Sequence, residues 1–208
     1  MTKNMPLYRD FSDDNATILV WKYDEAENLD PDELLEPENA EKVKDYHPKK
    51  LLEVLMVRKL LQVLKPGAKI LYREREPFLS PKDAEISITH SFPFAAIAIS
   101  KNKIGIDLER FTSKILRVVD KFTYENERDF IPAGQAETYY TIIWSVKESM
   151  YKIHHSKYWS LKKNYEVRPF QLKHLHQIRC RVYDEVFSDE FKARVEFFDD
   201  YCFTIVEE

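Results

Sequence analysis

Glycine is nearly missing from this chain. At the usual frequency of about 7% a protein of this length carries about 15, and here there are three, Gly67, Gly105 and Gly134. Neither a G-x-G-x-x-G run nor a Walker A stretch occurs, which excludes nucleotide sites built from glycine loops and leaves phosphate to side chains, metal or helix ends. Cysteine is almost as sparse. Cys180 and Cys202 stand outside any C-x-x-C pair or metal-ligand spacing, so both are expected to be buried thiols in a reducing compartment. No run reaches the ~18 apolar residues of a membrane span, and the opening MTKNMPLYRDFSDD has no apolar core of the kind a signal peptide needs. A cytoplasmic protein without a membrane partner is therefore expected. Excess basic charge is lacking too: a net charge of -4 and a pI near 5.9 give no field for general nucleic-acid binding.

What is present describes a globular chain of 208 residues, 44% hydrophobic and 33% charged, enough for one large domain or two small ones with a real core. Charge is segregated. Asp24 to Asp45 holds ten acids against two lysines, and His47 to Lys69 holds six bases against Glu53 alone. Such blocks are either solvated helix faces or, for the second, a surface for an anionic ligand. ATILVWKY at Ala16 to Tyr23 reads as a buried strand, and Lys50 to Leu64 as an amphipathic helix stopped by Pro66-Gly67. KILYRE, EISITH, AAIAIS and IGIDLE follow as strands. Helices are expected near Lys114 to Phe122, Glu125 to Ile131 and Glu137 to His154, then strands at Gln177 to Tyr183, Phe191 to Phe198 and Tyr201 to Val206, the last two joined by a turn at Asp199-Asp200. The order implies an α+β fold of two similar halves, each a helix on a small, mostly antiparallel sheet, divided as 1–102 and 103–208.

Two segments carry chemistry. In IGIDLER, Asp107 and Glu109 are two residues apart, so on a strand both carboxylates leave one face. Like charges side by side on a sheet repel and need a cation or a solvated edge. In WSVKESMYK, the four-residue steps between Trp144, Glu148 and Lys152 put all three on one helix face. Read blandly, this is a surface ion pair beside a core tryptophan. Read together, three carboxylates and lysines make an oxygen-ligand Mg²⁺ site beside a phosphate.

GIDLER followed some forty residues later by WSVKESMYK, with ISITHS at Ile86 to Ser91 upstream, resembles the paired signature and preceding strand of the 4'-phosphopantetheinyl transferases, in particular the larger surfactin-synthetase-activating type with two pseudo-repeated halves. The resemblance runs from about Lys49 to Leu161. It implies a pseudo-dimeric fold, and Mg²⁺-dependent transfer of the phosphopantetheine arm of coenzyme A to a serine of an apo acyl or peptidyl carrier protein, with release of adenosine 3',5'-bisphosphate. Asp107, Glu109 and Glu148 match the family's metal-binding acids, Glu148 also its proposed base, and Lys152 the lysine on the phosphates. Thr89 and His90 match the side of the site that holds the adenosine 3'-phosphate, and Lys147 counts among the cofactor contacts. Lys49 and Lys50 occupy the place of the family's phosphate-binding arginine, with Lys42 and Lys44 as helpers. Glu127 matches a family acid whose role, structural or catalytic, the resemblance leaves open. The first half then carries the adenosine 3'-phosphate side of the coenzyme A site and the second the metal, in a monomer.

The chain also departs from the pattern. Arg75-Glu76-Pro77 stands where the family often has G-K-P, Thr89 replaces the commoner serine, and Ser156-Lys157-Tyr158-Trp159 lacks both glycines of the usual G-K-x-G-L. Glu76 and the lost glycines motivate a second reading, a degenerate module that binds coenzyme A or carrier without efficient transfer; a third, an unrelated Mg²⁺ phosphohydrolase using the same acids, is opposed by the ISITHS segment. Carrier domains are usually acidic, so the docking surface is expected at Lys114, Ile115, Leu116, Arg117 and Lys121.

Overall fold

The structure, a computed structural model, describes residues 7–154 and 159–208. The chain divides into two compact units, Met1–Asn102 and Lys103–Glu208.

The first unit begins with β1 (Leu7–Asp10) and β2 (Ala16–Lys22), passes through the short helices α1 (Pro31–Leu34) and α2 (Pro37–Val43), and enters the 17-residue α3 (Pro48–Leu64). Pro48 suits the first helical position, where a missing N–H costs nothing, and the His47 ring nitrogen accepts from the Lys49 amide at 3.3 Å to close the N-terminus. A hairpin follows, β3 (Lys69–Arg73) and β4 (Glu76–Ser80), then β5 (Glu85–Ser91) and β6 (Phe94–Ser100). The main sheet is antiparallel in the order β1-β2-β6-β5. Leu19, Trp21, Ala95 and Ile97 on one face pack with Leu55, Met56, Leu60 and Leu61 of α3. A polar knot fastens the helices to the hairpin. The buried Glu36 carboxylate accepts from Arg58 Nε at 3.0 Å, Asn39 Nδ2 at 2.9 Å and the Ile70 amide at 2.9 Å, so a buried charge pair is fully hydrogen-bonded.

The second unit opens on β7 (Ile104–Arg110). Next come a 3-10 turn at Ser113–Arg117, a one-turn helix α4 (Val119–Phe122), a second 3-10 turn at Glu125–Glu127, and the 18-residue α5 (Ala136–Ile153). The chain closes with α6 (Leu161–Asn164), β8 (Tyr165–Val167), β9 (Ile178–Tyr183), β10 (Ser188–Phe198) and β11 (Tyr201–Glu207). These strands form an antiparallel sheet in the order β7-β11-β10-β9-β8, and the apolar face of α5, with Ile142, Ile143, Val146 and Met150, closes one side of it. The two units therefore share a plan. In each, an early strand, β2 in the first and β7 in the second, pairs antiparallel with the last strand, and a single long helix covers the sheet.

The α+β expectation holds, with differences at the small elements. The helices expected over Lys114 to Phe122 and Glu125 to Ile131 are 3-10 turns and a single helical turn, segments too short to sustain a helix without tertiary packing. Strands β1, β4 and β8, of three to five residues, carry too little pattern to be seen in advance. Cys180 and Cys202 are buried free thiols, as expected. Among the described residues no helix is long and apolar enough to cross a membrane.

Candidate active site

Gly105, Asp107 and Glu109 point from β7 toward α5, while Ile104, Ile106 and Leu108 alternate to the opposite, also buried, face. α5 runs antiparallel to this strand at very close range. A Cβ built on Gly105 would lie 1.9 Å from the carbonyl oxygen of Ser149 and 3.1 Å from Ile153, so the glycine exists to admit the helix backbone. Close approach brings the two motifs together. Lys152 Nζ donates to the Ile106 carbonyl at 2.6 Å and to Asp107 Oδ1 at 3.0 Å. One and two turns back along the same helix face, Glu148 lies within electrostatic reach of Asp107, and Trp144 Nε1 donates to Glu109 Oε1 at 2.7 Å.

The acids crowd one another in a half-dry setting. Burial, then repulsion from Asp107, pushes the Glu109 carboxyl up to about 7 despite the Trp144 hydrogen bond. Burial and the same neighbour push Glu148 up to about 7, with Lys152 pulling the other way. Among the described residues no three of His, Cys, Asp and Glu are gathered tightly enough to hold a metal ion as they stand. The donor chemistry nevertheless suits a hard divalent cation: every group is a carboxylate oxygen, and two of the three carry a protonation bias that a nearby cation would reverse. A groove of about 310 Å³ opens beside Glu109 and Trp144, lined by Arg110, Thr112, Lys114, Ile115, Val118 and Thr141.

Lys147 is not at this site. Its side chain is fully buried, and its ammonium donates to Glu127 Oε2 at 2.7 Å, the Phe122 carbonyl at 2.7 Å and the Leu161 carbonyl at 3.1 Å. All three protons are used inside the fold, so the expected cofactor contact is replaced by a structural one. The same pair explains Glu127, whose second oxygen accepts from the Val167 amide at 2.8 Å while the first also caps Tyr124. Burial pulls the Lys147 ammonium below its usual range, and the Glu127 carboxylate opposes that.

In the first unit, a second cluster forms at the start of α3. His90 Nδ1 lies 3.2 Å from Glu53 Oε2, whose other oxygen accepts from the Phe92 amide at 3.1 Å, and Lys49 Nζ sits over the Phe92 ring at 4.9 Å. Glu53 was not foreseen as a partner of His90, although its place one turn after Lys49, as the one acid in the basic block, was a signal. Lys50 turns instead to the Tyr46 ring, 4.1 Å away. Thr89 is buried and, by strand alternation, leaves the sheet on the face opposite His90. Glu74 and Arg75 form the tip of the β3–β4 hairpin, both with positive φ, and Glu76 begins β4. Lys157 and its neighbours at 155–158 lie outside the described residues.

Comparison with known proteins bears on the second unit above all. A family model described as the 4'-phosphopantetheinyl transferase superfamily matches residues 103–206, half of the chain. The 4'-phosphopantetheinyl transferase gsp of Aneurinibacillus migulanus is 33% identical over 118 residues, covering 53% of this chain and 49% of that protein. The match thus spans about half the length of the relative.

Proposed function

The chain belongs to the 4'-phosphopantetheinyl transferase superfamily, and from that premise we propose that it moves the 4'-phosphopantetheine arm of coenzyme A to a serine hydroxyl of an apo carrier protein, with release of adenosine 3',5'-bisphosphate. The observation that carries this reading is the meeting of Asp107, Glu109, Glu148 and Lys152 across the β7–α5 contact. Attack of an alcohol on a diester phosphorus asks for charge neutralisation and in-line placement rather than a covalent enzyme intermediate.

In this reading Asp107, Glu109 and Glu148 hold Mg²⁺. When bound, that ion neutralises charge on the pyrophosphate and its leaving group. Lys152, fixed by the Ile106 carbonyl, adds a positive charge at the same place. In the same reading Glu148, on the α5 face beside Asp107, takes the serine proton. Lys49 and His90, gathered around Glu53 and Phe92 at the start of the 17-residue α3, receive the adenosine 3'-phosphate, an anion suited to ammonium and ring N–H donors. Exposed Lys114, Arg117 and Lys121, with half-buried Ile115, offer a basic and apolar surface to an acidic carrier. The protein acts in the cytoplasm as a monomer.

The test is incubation with coenzyme A, Mg²⁺ and an apo carrier protein, followed by mass spectrometry of the carrier. A gain of one phosphopantetheine arm is expected, and Asp107→Ala is expected to abolish it while leaving the circular dichroism spectrum unchanged. No mass gain at any enzyme concentration, or full activity in Asp107→Ala, overturns the reading.

A further inference from the structure

The metal-side acids rest on more than their own strand. Trp144 is half-buried, its indole meets the Phe122 ring edge-on at a centroid distance of 5.1 Å, and its N–H donates to Glu109 Oε1 at 2.7 Å. Phe122 is in turn held: its side chain is fully buried, and its carbonyl accepts from the buried Lys147 at 2.7 Å. A continuous line of contacts therefore runs from the Lys147–Glu127 pair through Phe122 and the indole to one oxygen of a site carboxylate. Glutamate has three side-chain torsions, and a carboxylate left to itself at the end of a strand samples many of them. A single N–H fixed at both ends, by ring packing and by the acceptor, restricts that freedom before any cation arrives.

We infer that Trp144 is a positioning residue: its indole N–H holds Glu109 in the orientation in which the carboxylate meets the cation. This rests on the proposed assignment of Asp107, Glu109 and Glu148 to Mg²⁺. Phenylalanine at position 144 would keep the ring stack on Phe122 and remove the hydrogen bond alone.

The decisive measurement is Mn²⁺ affinity, read from the electron paramagnetic resonance signal of free Mn²⁺, for the full-length protein with one equivalent of coenzyme A. Trp144→Phe is expected to weaken Mn²⁺ binding about tenfold or more, the range found when partners of metal ligands are removed, with thermal melting close to that of the unaltered protein. In a Glu109→Ala background the same change is expected to have no further effect, because the indole then has nothing to hold. Unchanged Mn²⁺ affinity in Trp144→Phe overturns the positioning role alone. A second loss of affinity on top of Glu109→Ala also overturns it, since the tryptophan would then act on the fold at large. If the unaltered protein binds no Mn²⁺, the metal assignment falls and this role with it. Should Trp144→Phe melt markedly lower, Trp144→His, which restores a ring N–H, decides: recovered affinity supports the hydrogen bond, and unrecovered affinity overturns it.

Discussion

Gly105→Ala tests whether the proposed catalytic arrangement depends on the close approach of α5 to β7. The added Cβ would start 1.9 Å from the Ser149 carbonyl oxygen and 2.8 Å from its carbon, both backbone atoms that no rotamer change can move aside. Restoring an ordinary contact of 3.4 Å means opening the helix–strand gap by about 1.5 Å at this point. The bonds from Lys152 to Ile106 and Asp107, and from Trp144 to Glu109, span the same gap at 2.6 to 3.0 Å, and an opening of that size takes each past hydrogen-bonding distance. Overpacking of this kind costs about 2 kcal/mol, which in a chain of this length lowers the melting temperature by roughly 4–8 °C. Displacing catalytic groups by more than 1 Å costs on the order of 100-fold in turnover. Melting curves and a transfer assay on the same preparation report both effects. Gly67→Ala is the control: its φ of 85° strains a side chain, at about 1 kcal/mol, but nothing lies within 4 Å of the new Cβ, so transfer should be unaffected. Native melting and native turnover in Gly105→Ala would refute the steric argument, and lowered melting with native turnover would refute its link to the site.

Glu109 and Glu148, held at about 7 against a usual value of 4.5, keep protons in the folded state that the unfolded chain has already released. Their contribution to stability is therefore complete below pH 4.5 and lost as pH rises through 7, so added Mg²⁺ should raise the melting temperature more at pH 8 than at pH 5.5, and an equal shift at both would contradict the assignment. Lys147→Met leaves the Glu127 carboxylate buried without its cation and should cost about 3–5 kcal/mol in urea denaturation, whereas a surface lysine would cost almost nothing. Arg75→Gly relieves a φ of 81° at the hairpin tip and should stabilise the protein by about 1 kcal/mol, with any destabilisation counting against the strain.

Much of the second unit was legible in advance because its signals are local. A period of two placed Asp107 and Glu109 on one strand face, and steps of four placed Trp144, Glu148 and Lys152 on one helix face; the chain then lays these faces together. The roles of Lys147 and Gly105 were not legible. Lys147 sits inside a motif with the candidate site residues Glu148 and Lys152, and only its pairing with Glu127 and Phe122, 20 and 25 positions away, shows that its ammonium is held inside the fold. At Gly105 what comes close is the backbone of α5, an approach between segments more than forty positions apart in sequence. In the first unit, Lys49, Lys50, Thr89 and His90 were grouped by motif alone; strand alternation separates Thr89 from His90, and neighbouring rings draw the two lysines apart.

The sequence by itself excluded one kind of site: with three glycines and no phosphate loop, any phosphate is left to side chains, metal or helix ends. It also carried the paired motifs, GIDLER and WSVKESMYK, on which the resemblance to the family rests. Only the tertiary structure decided which charged residues meet across the β7–α5 contact and which are consumed inside the fold. That outcome depends on which distant acceptor reaches an ammonium or an indole N–H first, and no local periodicity encodes it.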